Sequence, residues 1–166
     1  MFDTFGEFDS AEEINKAAAA QLAQGDTQAV RDIARENGLD SADAEDYIAG
    51  EVTELCNPLM AALGKLKIEK TDLEIKGVLE DWYDIVIDVC TNDEKVRAAV
   101  RRKDKSLKVF MSKVLARAFD TKELISNKII EITKVKDGKE NMRGPVYLGI
   151  PNRTEIKKMC NEYYLK

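Results

Sequence analysis

Three aspartates in "DWYDIVID", Asp81, Asp84 and Asp88, recur at i, i+3 and i+7, which gathers their carboxylates on one face of a helix. Carboxylate oxygens suit hard divalent cations. No phosphate-cradling loop accompanies them, so a metal-assisted phosphoryl site is not expected. An acidic face of this kind can instead imitate a row of phosphates and fill the basic groove of a nucleic-acid enzyme, or simply face water.

The opposite chemistry is concentrated in "VRAAVRRKDKSLKVF", Val96 to Phe110. Arg97, Arg101, Arg102, Lys103, Lys105 and Lys108 stand there against a single acid, Asp104. Clustered cations bind phosphates, with an affinity that falls steeply as salt rises. Two helices joined across "KDKS" would make a helix-turn-helix, although no aromatic residues interleave as stacking platforms. The same cations can also meet an acidic protein partner or this chain's own carboxylates.

The remaining composition narrows the chemistry. The 166 residues contain no histidine, which removes His-based nucleophile systems and every zinc site that needs an imidazole. Cys56, Cys90 and Cys160 lie far apart, without C-x-x-C spacing, and read as small buried apolar residues of a reducing, cytoplasmic setting. Neither a P-loop, a dinucleotide-binding glycine motif nor a nucleophile elbow is present. No enzyme activity, cofactor or metal is expected. The opening "MFDTFGEFDSAEE" is acidic and lacks the basic-then-apolar pattern of a signal peptide, and no apolar run approaches the roughly 18 residues of a membrane span.

Charge divides the sequence. Residues 1–94 carry 23 acids and 7 bases, and residues 95–166 carry 8 acids and 19 bases. A net −5 therefore conceals halves of −16 and +11, an asymmetry that steers partners. One domain with an acidic lobe (1–94) and a basic lobe (95–166) is expected.

The elements that must hold these residues are mainly helical, about seven to eight in a compact bundle, with at most a short strand near 145–150. "SAEE" at Ser10 is a capping box leading a helix to Gly25. Asp26 or Thr27 caps a second helix that stops at Asn37-Gly38, and Asp40 or Ser41 caps a third that ends at Gly50. Asn57 with Pro58 opens a fourth, which Gly64 is expected to end. "TDLE" at Thr71 reads as a second capping box, starting a central helix along Ile75, Val78, Leu79, Trp82, Ile85, Val86 and Val89. Asn92 caps the next. Ser106 opens another, whose stripe is Leu107, Phe110, Met111, Val114, Leu115, Ala118 and Phe119. Thr121 begins a further helix through Ile132, with strand as the alternative for the β-branched "IIEITKV". "PVYLGIP" is too short for a helix, and Asn152 caps the last one. Phe2, Phe5 and Phe8 are expected to pack on the core, and Tyr163-Tyr164 to sit as core plus rim.

"KSLKVFMSKVLARAF", a polar connector, "YLGIP" and a final helix ending "EYYLK" together resemble the PcfK-like proteins of bacterial conjugative elements, and the anti-CRISPR proteins similar to them. The likeness covers residues 105–166, and "NMRGPVYLGIP" departs from it. The resemblance implies a small protein that acts by binding: a counter-defence inhibitor of a CRISPR effector nuclease, type II favoured, or of its guide-RNA complex. A nucleic-acid-binding accessory protein of a plasmid or conjugative element is the alternative, and self-association of acidic lobe to basic lobe a third.

Overall fold

Local capping chemistry starts most of the helices. The structure, a computed structural model, describes residues 4–166, so Phe2 lies outside the described residues. Helix α1 (Ala11–Ala23) begins where Ser10 Oγ accepts the Glu13 N–H, and the Glu13 carboxylate reaches back to the Asp9 N–H at 2.8 Å. Asp26 caps α2 (Thr27–Glu36) through the Ala29 N–H. Helix α3 (Ser41–Ala49) ends at Gly50 in the left-handed conformation, where a residue without Cβ is least strained. Asn57 caps α4 (Pro58–Asp72). Asp93, one residue past the expected Asn92, caps α6 (Glu94–Arg101) through the Lys95 and Val96 N–H groups. Ser106 caps α7 (Leu107–Asp120), and Asn152 caps α9 (Arg153–Tyr164).

Two further boundaries differ from expectation, for one reason. Helix α4 does not stop at Gly64 but continues to Asp72, and Thr71 lies in its last turn, donating its hydroxyl to the Lys67 carbonyl. Glu74 takes a positive φ, and α5 (Val78–Asn92) starts after Gly77. Gly64 serves packing. A Cβ there would lie 2.1 Å from the Asn37 carbonyl oxygen, because the turn ending α2 crosses α4 at this point. Glycine in a helix costs about 1 kcal/mol against alanine, and here it permits a backbone-to-backbone approach.

The apolar residues form two clusters that meet on α4. Ile14, Val30, Ile33, Tyr47, Leu55 and Ala61 belong to the first, with Phe5 and Phe8 packed against it. Ala62, Leu66, Trp82, Val86, Phe110, Val114, Ile156 and Tyr164 belong to the second. Neighbouring alanines on α4 thus face different cores. Helices α5, α6, α7 and α9 share the second cluster, so the charge boundary at Glu94/Lys95 falls inside one packed unit.

Residues 121–132 depart from the expected helix, while the short strand expected near 145–150 is present at Tyr147–Leu148. Here β1 (Glu123–Leu124) pairs antiparallel with β4 (Tyr147–Leu148), and β2 (Lys134–Val135) with β3 (Glu140–Asn141). Of the expected helix only one turn remains, α8 (Asn127–Ile130). β-Branched residues lose χ1 freedom in a helix, and the pairing of Leu124 with Tyr147 gives this stretch an extended alternative. The chain is mainly α-helical, a multi-helix bundle with short antiparallel strand pairs. Among the described residues no helix is long and apolar enough to cross a membrane.

Candidate functional site

The basic stretch forms the end of α6, the turn Arg102–Ser106 and the start of α7. Arg97 donates to the carbonyls of Cys90 (3.3 Å) and Thr91 (2.6 Å), so its guanidinium caps the C-terminus of α5. Cations there meet the negative end of the helix dipole. Arg101 is buried and donates to the Asn37 side-chain oxygen and, at 3.4 Å, to the Ala61 carbonyl. Burial lowers its pKa, while the charges of Glu7, Glu69 and Asp9 oppose that shift. Lys105 is buried as well. Its Nζ donates to the Tyr163 carbonyl at 3.0 Å and lies 5.1 Å from the centre of the Tyr163 ring.

Two of the six cations proposed to meet a partner are therefore enclosed, and a third is committed to a helix end. Arg101 lies in the last turn of α6, about 100° around the helix from Val100, and is turned toward α4 and the end of α2, where Ala61 and Asn37 receive its donors. Arg102 pairs with Asp104 at 2.8 Å, and Lys103 with Asp9 at 3.6 Å. Lys108 is exposed, with no ion pair among the described residues.

A residue that sequence reasoning missed lies beneath this turn. Lys65 on α4 is 1% exposed. Its ammonium donates to the carbonyls of Arg102 (2.7 Å) and Lys105 (2.9 Å) and pairs with Glu7 at 2.6 Å. One turn further along α4, the Glu69 carboxylate accepts the Leu107 N–H at 3.0 Å, and burial raises its pKa. The turn is thus held from below by a lysine that takes its carbonyls and a glutamate that takes an N–H. Nothing in the spacing of Lys65 marks it, since its neighbour Lys67 looks alike in sequence and is exposed.

The acidic arm closes the turn from above. Glu36 accepts the N–H groups of Thr4 and Phe5, each at 3.1 Å, which fixes the start of the arm. Asp9 accepts the Lys103 N–H at 2.7 Å, and that bond is the main cause of its lowered pKa. The basic stretch therefore meets the chain's own acidic half at Glu7 and Asp9.

The acidic face on α5 divides. Asp88 bridges to α9 through Arg153 (3.0 Å) and Lys157 (2.6 Å), and these bonds hold its carboxyl below the usual aspartate value. Asp81 and Asp84 remain exposed without an ion pair among the described residues. No group of three metal-ligating side chains is assembled among the described residues. A further set of carboxylates, Asp43, Asp46 and Glu54, lines one cleft beside the end of α3.

The three thiols are buried, and burial pushes Cys56 and Cys90 up to about 11 and Cys160 up to about 12. They are thiols, not thiolates, at neutral pH. A groove of about 710 Å³ runs between α2, α3 and α4 over Ala34, Leu39 and Ile68. On its rim Arg31 and Glu45 pair at 2.6 Å.

Comparison with protein-family models, with curated proteins and with solved structures returns no match.

Proposed function

We propose that this chain acts by stoichiometric binding to a protein that handles nucleic acid, its acidic N-terminal helices occupying the partner's basic groove. The partner we propose is a CRISPR effector nuclease, type II favoured, or its guide-RNA complex, which makes the chain a counter-defence protein of a phage or mobile element acting in the bacterial cytoplasm. The observation that carries this reading is the set of carboxylates Asp43, Asp46 and Glu54 around one cleft, without ion pairs among the described residues. They stand in a region where basic residues are few, while much of the basic cluster is turned inward. Carboxylates arranged this way imitate phosphates, and a channel built for nucleic acid attracts them.

The test is co-elution with candidate effectors, coupled to a cleavage assay. Binding and inhibition are expected, and reversing Asp43, Asp46 and Glu54 together to Lys should remove both. Failure to bind or inhibit any effector from the natural hosts sinks the proposal.

A second reading, a nucleic-acid-binding accessory protein, draws on exposed cations outside the α6–α7 turn. Lys108, Lys113, Lys122 and Lys128 are exposed, as are the aromatic rings of Phe119 and Tyr147, and base stacking on such rings is sequence-tolerant. A gel shift that weakens with salt, and is lost when these four lysines become Ala, would favour it over the inhibitor.

A further inference from the structure

Residues 4–9 cross the α6–α7 turn without helix or strand, and two side chains of this arm stand where a bound anion would. Glu7 covers the ammonium of Lys65 at 2.6 Å, and Lys65 is 1% exposed beneath it. Asp9 accepts the Lys103 backbone N–H at 2.7 Å and faces the Lys103 ammonium at 3.6 Å. That N–H first, and then the charges of Lys103 and Lys65, hold the Asp9 carboxyl below its usual range, so both ammonium groups act on one place. A backbone N–H beside ammonium groups is a donor set that takes phosphate oxygens as well as carboxylates.

The arm is anchored apart from these carboxylates. Glu36 holds the N–H groups of Thr4 and Phe5, and Phe5 and Phe8 pack on the first core. Gly6, at a φ of 76°, bends the chain between Phe5 and Glu7, and a Cβ there would meet nothing within 4 Å. The side chains of Glu7 and Asp9 are 25% and 45% exposed, so rotation about their own bonds withdraws them while the anchors stay. The turn and its floor then hold Lys65, Arg101, Arg102 and Lys103 against the carboxylates of Glu69 and Asp104. Such an excess of positive charge attracts a polyanion.

We propose that Glu7 and Asp9 mask a phosphate-binding site built from Lys65, the Lys103 N–H and the Lys103 ammonium, and that its ligand is the backbone of a nucleic-acid strand, which must displace the arm's carboxylates to bind. The arm is thus an autoinhibitory strap that imitates the ligand it excludes. The site is separate from the acidic cleft beside α3 and from the exposed lysines Lys108, Lys113, Lys122 and Lys128, and it does not depend on the proposed function.

Fluorescence anisotropy of a labelled oligothymidine of about 12 nucleotides, titrated with the full chain, tests it. The unaltered protein should bind weakly. Glu7→Gln/Asp9→Asn keeps the acceptors but removes their charge, which weakens their hold on the lysines, and should tighten binding about tenfold or more. Its plot of log affinity against log salt should steepen by about 1.4, as two newly available cations predict for a single strand. Glu51→Gln/Asp84→Asn removes the same charge from exposed positions elsewhere and should give no such gain. Lys103→Glu, added to Glu7→Gln/Asp9→Asn, should abolish it. Circular dichroism checks that each variant keeps its helix content. Equal affinities of the unaltered protein and Glu7→Gln/Asp9→Asn, or an equal gain in Glu51→Gln/Asp84→Asn, overturn the proposal. So does displacement of the oligonucleotide by oligoglutamate of matching charge as readily as by unlabelled oligothymidine, which would assign the site to acidic peptides.

Discussion

At the scale of single residues, the fold depends on positions whose identity serves contact, not propensity. Gly64 is the plainest case. A methyl group placed there would meet the Asn37 carbonyl at 2.1 Å, and one placed at Gly38 would meet the Gly64 carbonyl at 2.3 Å. Both obstructions are backbone, which yields less readily than a side chain. Gly64→Ala should therefore destabilise the protein by about 2 kcal/mol through overpacking, despite the better helix propensity of alanine. Urea unfolding would measure this, and an unchanged or raised midpoint would refute it. The sequence misleads at this position because a glycine that ends a helix and one that admits a crossing chain look the same. Lys65 is similar. Its burial follows from the carbonyls of a turn 37 and 40 residues away, which no local pattern can announce. The cations of the basic stretch were legible as a cluster. Their enclosure was not, because it depends on the arm, on α4 and on α9 together.

Among the elements, helix starts were readable where a side chain caps an N–H, as at Ser10, Asn57, Ser106 and Asn152. They were misplaced where the backbone turns on glycine without a side-chain bond, as at Gly77. The stripe of α7 was read as one face, yet Leu115 and Phe119 lie well around the helix from Phe110 and Val114 and remain exposed. The clamp between α5 and α9 gives a test at this scale. Asp88 has its pKa lowered by Lys157 and Arg153. A carboxylate with a depressed folded value contributes stability above its ordinary value of 3.8, and loses that contribution as pH falls through the depressed value. Asp88→Asn should lower the urea midpoint at pH 7, and the gap from the unaltered protein should close as pH falls below that range. A gap that stays constant down to pH 2 would contradict the ion-pair account.

For the whole molecule, the division by charge and the division by packing are different partitions of one chain. The acidic half contributes α5 to the second core, and the basic half holds the acidic arm at Lys103. A polarised sequence thus becomes a structure whose halves interlock, with Asp43, Asp46 and Glu54 near α3 and Lys108 on α7 left without ion pairs among the described residues. The return of α9 onto α5 has a further consequence. The segment between α7 and α9 makes an excursion whose tip, around β2 and β3, carries exposed Lys134, Lys139 and Arg143. Trypsin acting on the native protein should cut there first, while Lys65, Arg101 and Lys105 are shielded. The cut chain should nevertheless migrate as one particle, its last helix retained by Ile156, Cys160 and Tyr164 in the second core. Denaturing electrophoresis would then reveal two fragments from a single chromatographic peak. The terminal helix would behave as a bound peptide that happens to be delivered on its own tether.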